Sequence, residues 1–502
     1  MTARLVPALR ALLICLSCVL ACAATVRGQI VPALPSTRLA ALAATRPAAP
    51  AGEYFGTIKA GPIALRIGLK IEADGGGLKG VLDSIDQGAK IPIDRVEFSG
   101  GKLKLTLTKI AGSYEGMMKD DGESFEGKWT QAGQTLPLTF KRVDEPVTLK
   151  RPQEPKSPLP YREEKVVVEN AAAAAGVKLA GTLTLPKSAG TFPAVLLITG
   201  SGPQDRDEMV LGHRPFLVIA DHLTRQGIAI LRLDDRGVGE STGDFASATT
   251  DDFVSDADAA LAFLRARKDI DPKRIGLLGH SEGGLTGPIV AAKDPGVAFI
   301  VLLAAPGVPM EQLLIRQSCD VARQSGFPDA KLKELEASNR KVFATLKSID
   351  DPAEAERQIR AVLDAQMAKL SPAEREPFKA VGDAQIKMMT SPWFRQLLKY
   401  DPAPTLAKVK CPVLAICGEK DVQVSAKENL DAIGAALRTG GNRDVTIAEL
   451  QGLNHLLQTC QTGAVWEYNT IEETIAPHAL KQIGDWVRDR AITPSPSGRG
   501  PG

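Results

Sequence analysis

Arg274-Ile275-Gly276-Leu277-Leu278-Gly279-His280-Ser281-Glu282-Gly283-Gly284 is the stretch on which the reading of the whole chain turns. An apolar strand, Ile275 to Leu278, runs into Gly-X-Ser-X-Gly, and the apolar run Leu285 to Ala292 reads as a helix. A strand–turn–helix with serine at its apex has the form of a nucleophile elbow. The turn forces Ser281 into a strained backbone conformation. Gly279 and Gly283 carry no Cβ, so strand and helix can approach closely there. The N–H of Glu282, at the start of the helix, is then placed to receive a developing oxyanion.

A serine hydroxyl needs a base, and the base needs an orienting acid. At an elbow of this kind the acid and then the histidine follow the serine in the chain. Of the five histidines, His213 and His222 precede Ser281 on an expected helix. His280 lies inside the elbow and points away from its serine, and His478 lies in a late amphipathic helix. His455 sits in Gln451-Gly452-Leu453-Asn454-His455, just after an expected strand, and is the candidate base. The strand before it ends in Cys417-Gly418-Glu419-Lys420-Asp421, which makes Asp421 the candidate acid and Glu419 the alternative, read as a solvent-facing turn residue. The second oxyanion donor is expected after the strand Ala194 to Thr199, from the N–H of Ser201, with Gly202 next. That loop has no Gly-Lys-Ser/Thr, which excludes a P-loop. Asp235-Arg236-Gly237-Val238-Gly239 lacks the spacing of a nucleotide fingerprint and reads as a brace beneath the site.

Outward from the elbow, continuous apolar strands alternate with helices. Expected strands are 166–168, 179–185, 194–199, 228–233, 275–278, 299–304, 413–416 and 445–448; expected helices include 213–225, 252–267, 425–437 and 471–489. This is an α/β pattern with a mostly parallel sheet covered on both faces. From 306 to 400 the pattern is helical and charge-rich, with Pro328, Pro352 and Pro372 near helix starts, so it reads as an inserted cap over the strand ends. Its apolar residues are expected mainly in the cap's own core.

Residues 52–143 read differently. Ile63, Leu65, Ile67, Leu69 and Ile71 alternate strictly, as do Leu103, Leu105 and Leu107, and Leu136, Leu138 and Phe140. An aromatic-X-Gly unit recurs at Tyr54-Phe55-Gly56, Tyr114-Glu115-Gly116 and Phe125-Glu126-Gly127. A small antiparallel barrel or sandwich is expected, serving as a packing module or, alternatively, holding carbohydrate or lipid.

Arg4, Arg10 and the apolar run Ala11 to Ala24 read as a signal peptide, 1–24, so export to a periplasmic or extracellular place is expected. Val19-Leu20-Ala21-Cys22 also fits a lipobox, and membrane attachment is expected only if Cys22 is lipidated. Residues 25–51 are an Ala/Pro-rich tether, 144–163 a proline-rich linker, 164–490 the α/β domain, and 491–502 a tail expected to be disordered. Lys+Arg (61) nearly balance Asp+Glu (59), and no basic run is interleaved with aromatics, so no nucleic-acid partner is expected. Cys319, Cys411, Cys417 and Cys460 show no zinc spacing and are read as buried free thiols.

On Gly200-Ser201-Gly202-Pro203-Gln204-Asp205-Arg206-Asp207, Asp235-Arg236-Gly237-Val238-Gly239-Glu240-Ser241, Gly279-His280-Ser281-Glu282-Gly283, Gly418-Glu419-Lys420-Asp421 and Asn454-His455, residues 164–490 resemble the α/β-hydrolase superfamily. The likeness is greatest to exported esterases grouped with the serine aminopeptidase-like hydrolases. It departs from the commonest pattern at Thr199-Gly200, where many relatives carry His-Gly. The resemblance implies a Ser281/Asp421/His455 triad hydrolysing a small-molecule carboxylic ester through an acyl-enzyme, with no metal or other cofactor. The alternatives are an aminopeptidase, for which Glu334 and Glu336 are candidate amine binders, and a binding protein with a vestigial triad.

Overall fold

A computed structural model of the chain describes residues 50–492, apart from 61–62, 86–88, 132–133, 148–149, 174–175, 368–381 and 384. The signal peptide with Cys22, nearly all of the tether, Pro372 and the tail from 493 lie outside the described residues. Two units are formed: one of residues 152–467 and 473–492, the other of 50–151 with 468–472.

In the smaller unit the alternating segments form strands β1 (Gly52–Ala60), β2 (Ile63–Asp74), β3 (Gly77–Ser84), β4 (Ala89–Ile93), β5 (Arg95–Ser99), β6 (Lys102–Leu107), β7 (Gly112–Met118), β8 (Ser124–Gln131) and β9 (Gln134–Val143). They make one nine-stranded sheet in the order β4-β3-β2-β1-β9-β8-β7-β6-β5. The two edge strands, β4 and β5, are joined by Asp94 alone, so the sheet must curl until its edges meet. It is therefore a barrel-like sheet and not a sandwich. Leu69, Leu105, Tyr114, Phe125 and Phe140 fill it. The recurring glycines permit the curl: a Cβ on Gly127 would lie 2.2 Å from the Glu115 carbonyl oxygen, and one on Gly116 would meet the folded-back Tyr114 ring.

In the larger unit the strands are β10 (Tyr161–Asn170), β11 (Val177–Pro186), β12 (Phe192–Ile198), β13 (Ala229–Leu233), β14 (Ile270–His280), β15 (Ile300–Leu303), β16 (Val413–Gly418) and β17 (Val445–Leu450). The sheet order is β10-β11-β13-β12-β14-β15-β16-β17. β10 and β11 are antiparallel to their neighbours, and the strands from β13 to β17 are parallel. The middle strands are buried on both faces, which explains their unbroken apolar runs. The chain passes from β12 outward to β13 and then returns to the other side of β12 as β14. That reversal opens a crevice at the carboxyl ends of β12 and β14, where the loop from Thr199 and the elbow lie.

Helices cover the sheet at Pro215–Thr224, Thr250–Ala266, Gly283–Lys293, Ala426–Thr439 and Pro477–Ala491. Two differ from expectation. His213 precedes its helix, because Pro215 fixes the first turn. The last helix starts at Pro477, six residues later than its amphipathic pattern suggested, because Gln153 takes the N–H groups of Thr474 (2.6 Å) and Ile475 (3.0 Å). Between 306 and 400 the described residues are helical, at Met310–Gln324, Asp329–Ser348, Pro352–Met367 and Pro392–Leu398. Leu313, Leu332, Phe343, Leu346, Ile359 and Phe394 form a core of this insertion. The four described cysteines are free, although Cys411 and Cys460 are only half-buried.

Candidate active site

At the end of β14 the backbone of Ser281 has φ +51°, the left-handed region that a serine occupies only when its surroundings impose it. Its N–H donates to the Leu303 carbonyl (2.9 Å), and its own carbonyl accepts from Gly284 (2.9 Å). The flanking glycines are required by main-chain approach. A Cβ on Gly279 would lie 2.1 Å from the Gly283 carbonyl oxygen, and one on Gly283 2.2 Å from that of Ile198. The hydroxyl thus stands between β12 and β15 at the head of the following helix.

Asp421 and His455 are brought together at the ends of β16 and β17. His455 Nδ1 donates to Asp421 Oδ2 at 2.7 Å, and both residues are buried. The other carboxylate oxygen, Oδ1, accepts the N–H groups of Gln423 and Val424, each at 2.8 Å, so the acid is held on all sides. Cys417 adds a thiol 3.4 Å from Oδ2. Burial, with Asp421 next to it, pushes that thiol's pKa well up, so it stays protonated and donates. Glu419 is exposed and accepts the Gly452 N–H instead. The histidine loop is fixed by Asn454, whose side-chain oxygen takes the N–H groups of Leu456 and Gln458.

Ser281 Oγ has no hydrogen bond to His455 among the described residues. His455 lies instead against the residue next to the serine: the His280 and His455 rings are 4.8 Å apart, and His280 Nε2 is 3.1 Å from the His455 carbonyl oxygen.

The loop after β12 faces the elbow. A Cβ on Gly200 would come within 3.2 Å of Ser281 Cβ. The Gly200 N–H is engaged by Glu208 Oε1 at 2.7 Å, whereas the N–H groups of Ser201 and Glu282 have no acceptor among the described residues. Asp235 braces this loop, accepting the Thr199 hydroxyl (2.7 Å) and the Gln204 N–H (2.9 Å). Arg236 is bound by Asp252 and Asp256 on the neighbouring helix.

Three features had no signal in the sequence. The Glu282 side chain is buried, accepting the Ser201 hydroxyl and the Trp393 indole N–H, each at 2.7 Å. Burial raises its pKa, and the two donors only partly offset this. Trp393 reaches this point from the helical insertion. Glu208 and His280 form a second acid–imidazole pair at 3.0 Å, next to the first. Glu208 follows the loop motif by a single residue, but pairing with a histidine so far along the chain is a tertiary event.

A cavity of about 70 Å³ is lined by Gly200 and Glu282, though not by Ser281 or His455 themselves. Leu196, Ile198, Phe253 and Trp393 supply much of its apolar wall. Glu334 and Glu336 do not join it, being paired with Lys331 and Arg340 on their own helix. No group of His, Cys, Asp and Glu suited to a metal ion occurs among the described residues.

Residues 214–459 match the family described as serine aminopeptidase, S33. Esterase EstD of Thermotoga maritima is 30% identical over 283 residues, which cover 56% of this chain and 58% of EstD. An uncharacterized 31.7 kDa protein of Escherichia coli is 28% identical over 236 residues, 44% of this chain and 72% of that protein. Among solved structures, an esterase of Pyrococcus furiosus aligns over 68% of this chain and 97% of its own, at 15% identity and a TM-score of 0.40. The chain thus spans a little over half the length of EstD. The sheet order and the elbow geometry agree with the match over 214–459: the larger unit has the α/β-hydrolase fold, and these residues, just under half of the chain, are similar to the serine aminopeptidase S33 family.

Proposed function

We propose that the protein hydrolyses carboxylic esters by a serine mechanism. The observation that carries this reading is the buried 2.7 Å bond between Asp421 and His455, set beside a serine held at φ +51°. Ser281 Oγ attacks the acyl carbon and His455 Nε2 takes its proton, the contact closing when substrate binds. Asp421 holds the Nδ1–H tautomer and stabilises the imidazolium. The N–H groups of Glu282 and Ser201 receive the oxyanion. The tetrahedral intermediate collapses to an acyl-enzyme as His455 returns the proton to the leaving alcohol, and water then repeats the cycle. The likeness to a named esterase favours ester over peptide, and Glu334 and Glu336, the named candidates for an amine site, are paired on their own helix and do not line the cavity.

The cavity beside Gly200 and Glu282 suits the acyl group. At about 70 Å³ it is well below the roughly 150 Å³ that accommodates benzene in an engineered apolar cavity, which favours acyl chains of a few carbons. The N-terminal pattern supports export, with membrane attachment through Cys22 if that residue is lipidated.

The test is turnover of p-nitrophenyl acetate and butyrate by wild type and Ser281→Ala. The variant is expected to lose on the order of 10³-fold or more in kcat while remaining folded. Retained turnover in the alanine variant would rule the mechanism out.

A further inference from the structure

A second buried pair lies against the triad and has no part in the proton transfer described above. Glu208 is 1% exposed, and its backbone has φ +52°, a conformation that a glutamate keeps only where its surroundings hold it. Among the described residues, the hydrogen bonds of its side chain all fall on one oxygen. Oε1 accepts the Gly200 N–H at 2.7 Å and faces His280 Nδ1 at 3.0 Å, while Oε2 is buried without a partner.

The ring of His280 decides the protonation state. Nδ1 faces the Glu208 carboxylate and Nε2 faces the His455 carbonyl oxygen at 3.1 Å. Both partners are oxygen acceptors. A neutral imidazole has one N–H and can serve only one of them; serving both takes two protons. A proton on Glu208 Oε1 instead would crowd the Gly200 N–H that already points at that atom.

We propose that Glu208 and His280 form a carboxylate–imidazolium clasp that positions the oxyanion loop and His455 for reaction at Ser281. The proposal rests on the triad reading given above. Each arm of the clasp ends on a different catalytic segment. Gly200 immediately precedes Ser201, the oxyanion donor. His280 immediately precedes Ser281. The third arm ends on the main chain of His455 itself. The loop after β12, the elbow and the histidine loop, which come from three separate strand ends, are thus joined through one ion pair.

The charged surroundings agree. Burial pulls the His280 pKa down, and Glu208, the His455 carbonyl and Asp421 together raise it by more, so the net direction is upward. The groups facing the ring are Glu208 on one side and His455, with Asp421 behind it, on the other. Asp235 in turn feels the charge of Glu208. The positive ring would oppose a second charge on His455, and the Glu208 carboxylate offsets that repulsion while His455 holds the transferred proton.

Glu208→Gln separates the arms. Its amide oxygen can still accept from Gly200 and from His280 Nδ1, and its amide nitrogen takes the unpartnered Oε2 position. Without the carboxylate the ring becomes neutral, and Nε2 no longer donates to His455. On p-nitrophenyl butyrate the full-length variant is expected to lose about 10- to 100-fold in kcat with little change in KM. His280→Gln should behave alike, and the double variant should lose no more than either single one, because they break the same unit. Nitrogen NMR of histidine-labelled wild type, with His280→Gln for assignment, should show both His280 ring nitrogens protonated at pH 8. An unchanged kcat in Glu208→Gln, or a singly protonated His280 at that pH, overturns the proposal. Should Glu208→Gln fail to fold, the wild-type spectrum decides. Should wild type hydrolyse no ester, the esterase reading fails while the spectrum still reports on the clasp.

Discussion

Glu282 joins two functions in one residue: its N–H faces the expected oxyanion, and its side chain ties the elbow to the insertion through Trp393. The carboxylate is buried, and its partners, the Ser201 hydroxyl and the Trp393 indole, are both neutral. Burial therefore raises its pKa in the folded state above that of the unfolded chain. The sign follows from linkage. In the window between the two values the folded state keeps a proton that the unfolded state has released, so stability falls as pH rises. The contribution is complete below the unfolded carboxylate range and is lost as pH rises through the folded value. Glu282→Gln removes this dependence while keeping both contacts: its amide oxygen accepts from Trp393, and its amide nitrogen donates to the Ser201 oxygen. In thermal melts the variant should gain on wild type between pH 4.5 and pH 8, by about 2 °C or more. A pH-independent difference between the two proteins would refute a raised Glu282 pKa. The residue also marks a limit of reading from sequence. Gly-X-Ser-X-Gly fixes what the backbone of Glu282 can do, because turn geometry is local. Its side-chain partner stands 111 positions away, and no local pattern points to it.

Among the elements, the elbow is the one whose form is most directly encoded. Two glycines of the helix Gly283–Lys293 test this against each other. A Cβ on Gly283 would meet the Ile198 carbonyl oxygen at 2.2 Å, and that oxygen belongs to the main chain of β12, which cannot rotate away. At Gly287 in the same helix, a Cβ meets nothing within 4 Å. Gly283→Ala should therefore cost about 3 kcal/mol or more, as severe overpacking does. Gly287→Ala should be neutral or stabilising by up to about 1 kcal/mol, through helix propensity. Urea melts compare the two, and equal effects would mean that the strand–helix approach is looser than described. The strands were legible for a related reason. Val195 to Leu197, Ile300 to Leu303 and Val413 to Ile416 are buried on both faces, as short central strands of a parallel sheet are. Helix starts were less so. Pro477 and the side chain of Gln153, not the apolar period, decide where the last helix begins.

At the scale of the whole molecule, the two units have separate cores. Leu69, Leu105, Tyr114, Phe125 and Phe140 belong to one cluster, and the sheet carrying Ser281, Asp421 and His455 is packed by others. The alternation in residues 52–143 gave the all-β character but not its closure. Closure follows from a topology in which first and last partners are joined by Asp94, and pairing order is not written in alternation. Separate cores predict separable unfolding. Calorimetry of the full chain should resolve two transitions. Leu105→Ala, at a fully buried position of the nine-stranded sheet, should lower one of them by about 2–5 kcal/mol and leave the other in place. Ester turnover at 25 °C should be unchanged in that variant, since the proposed catalytic groups all stand on the other sheet. A single transition that moves as a whole with Leu105→Ala, or a fall in turnover that parallels it, would mean that the barrel-like sheet and the catalytic sheet unfold as one cooperative body. In that case the smaller unit would be a structural part of the larger one and not a separate module.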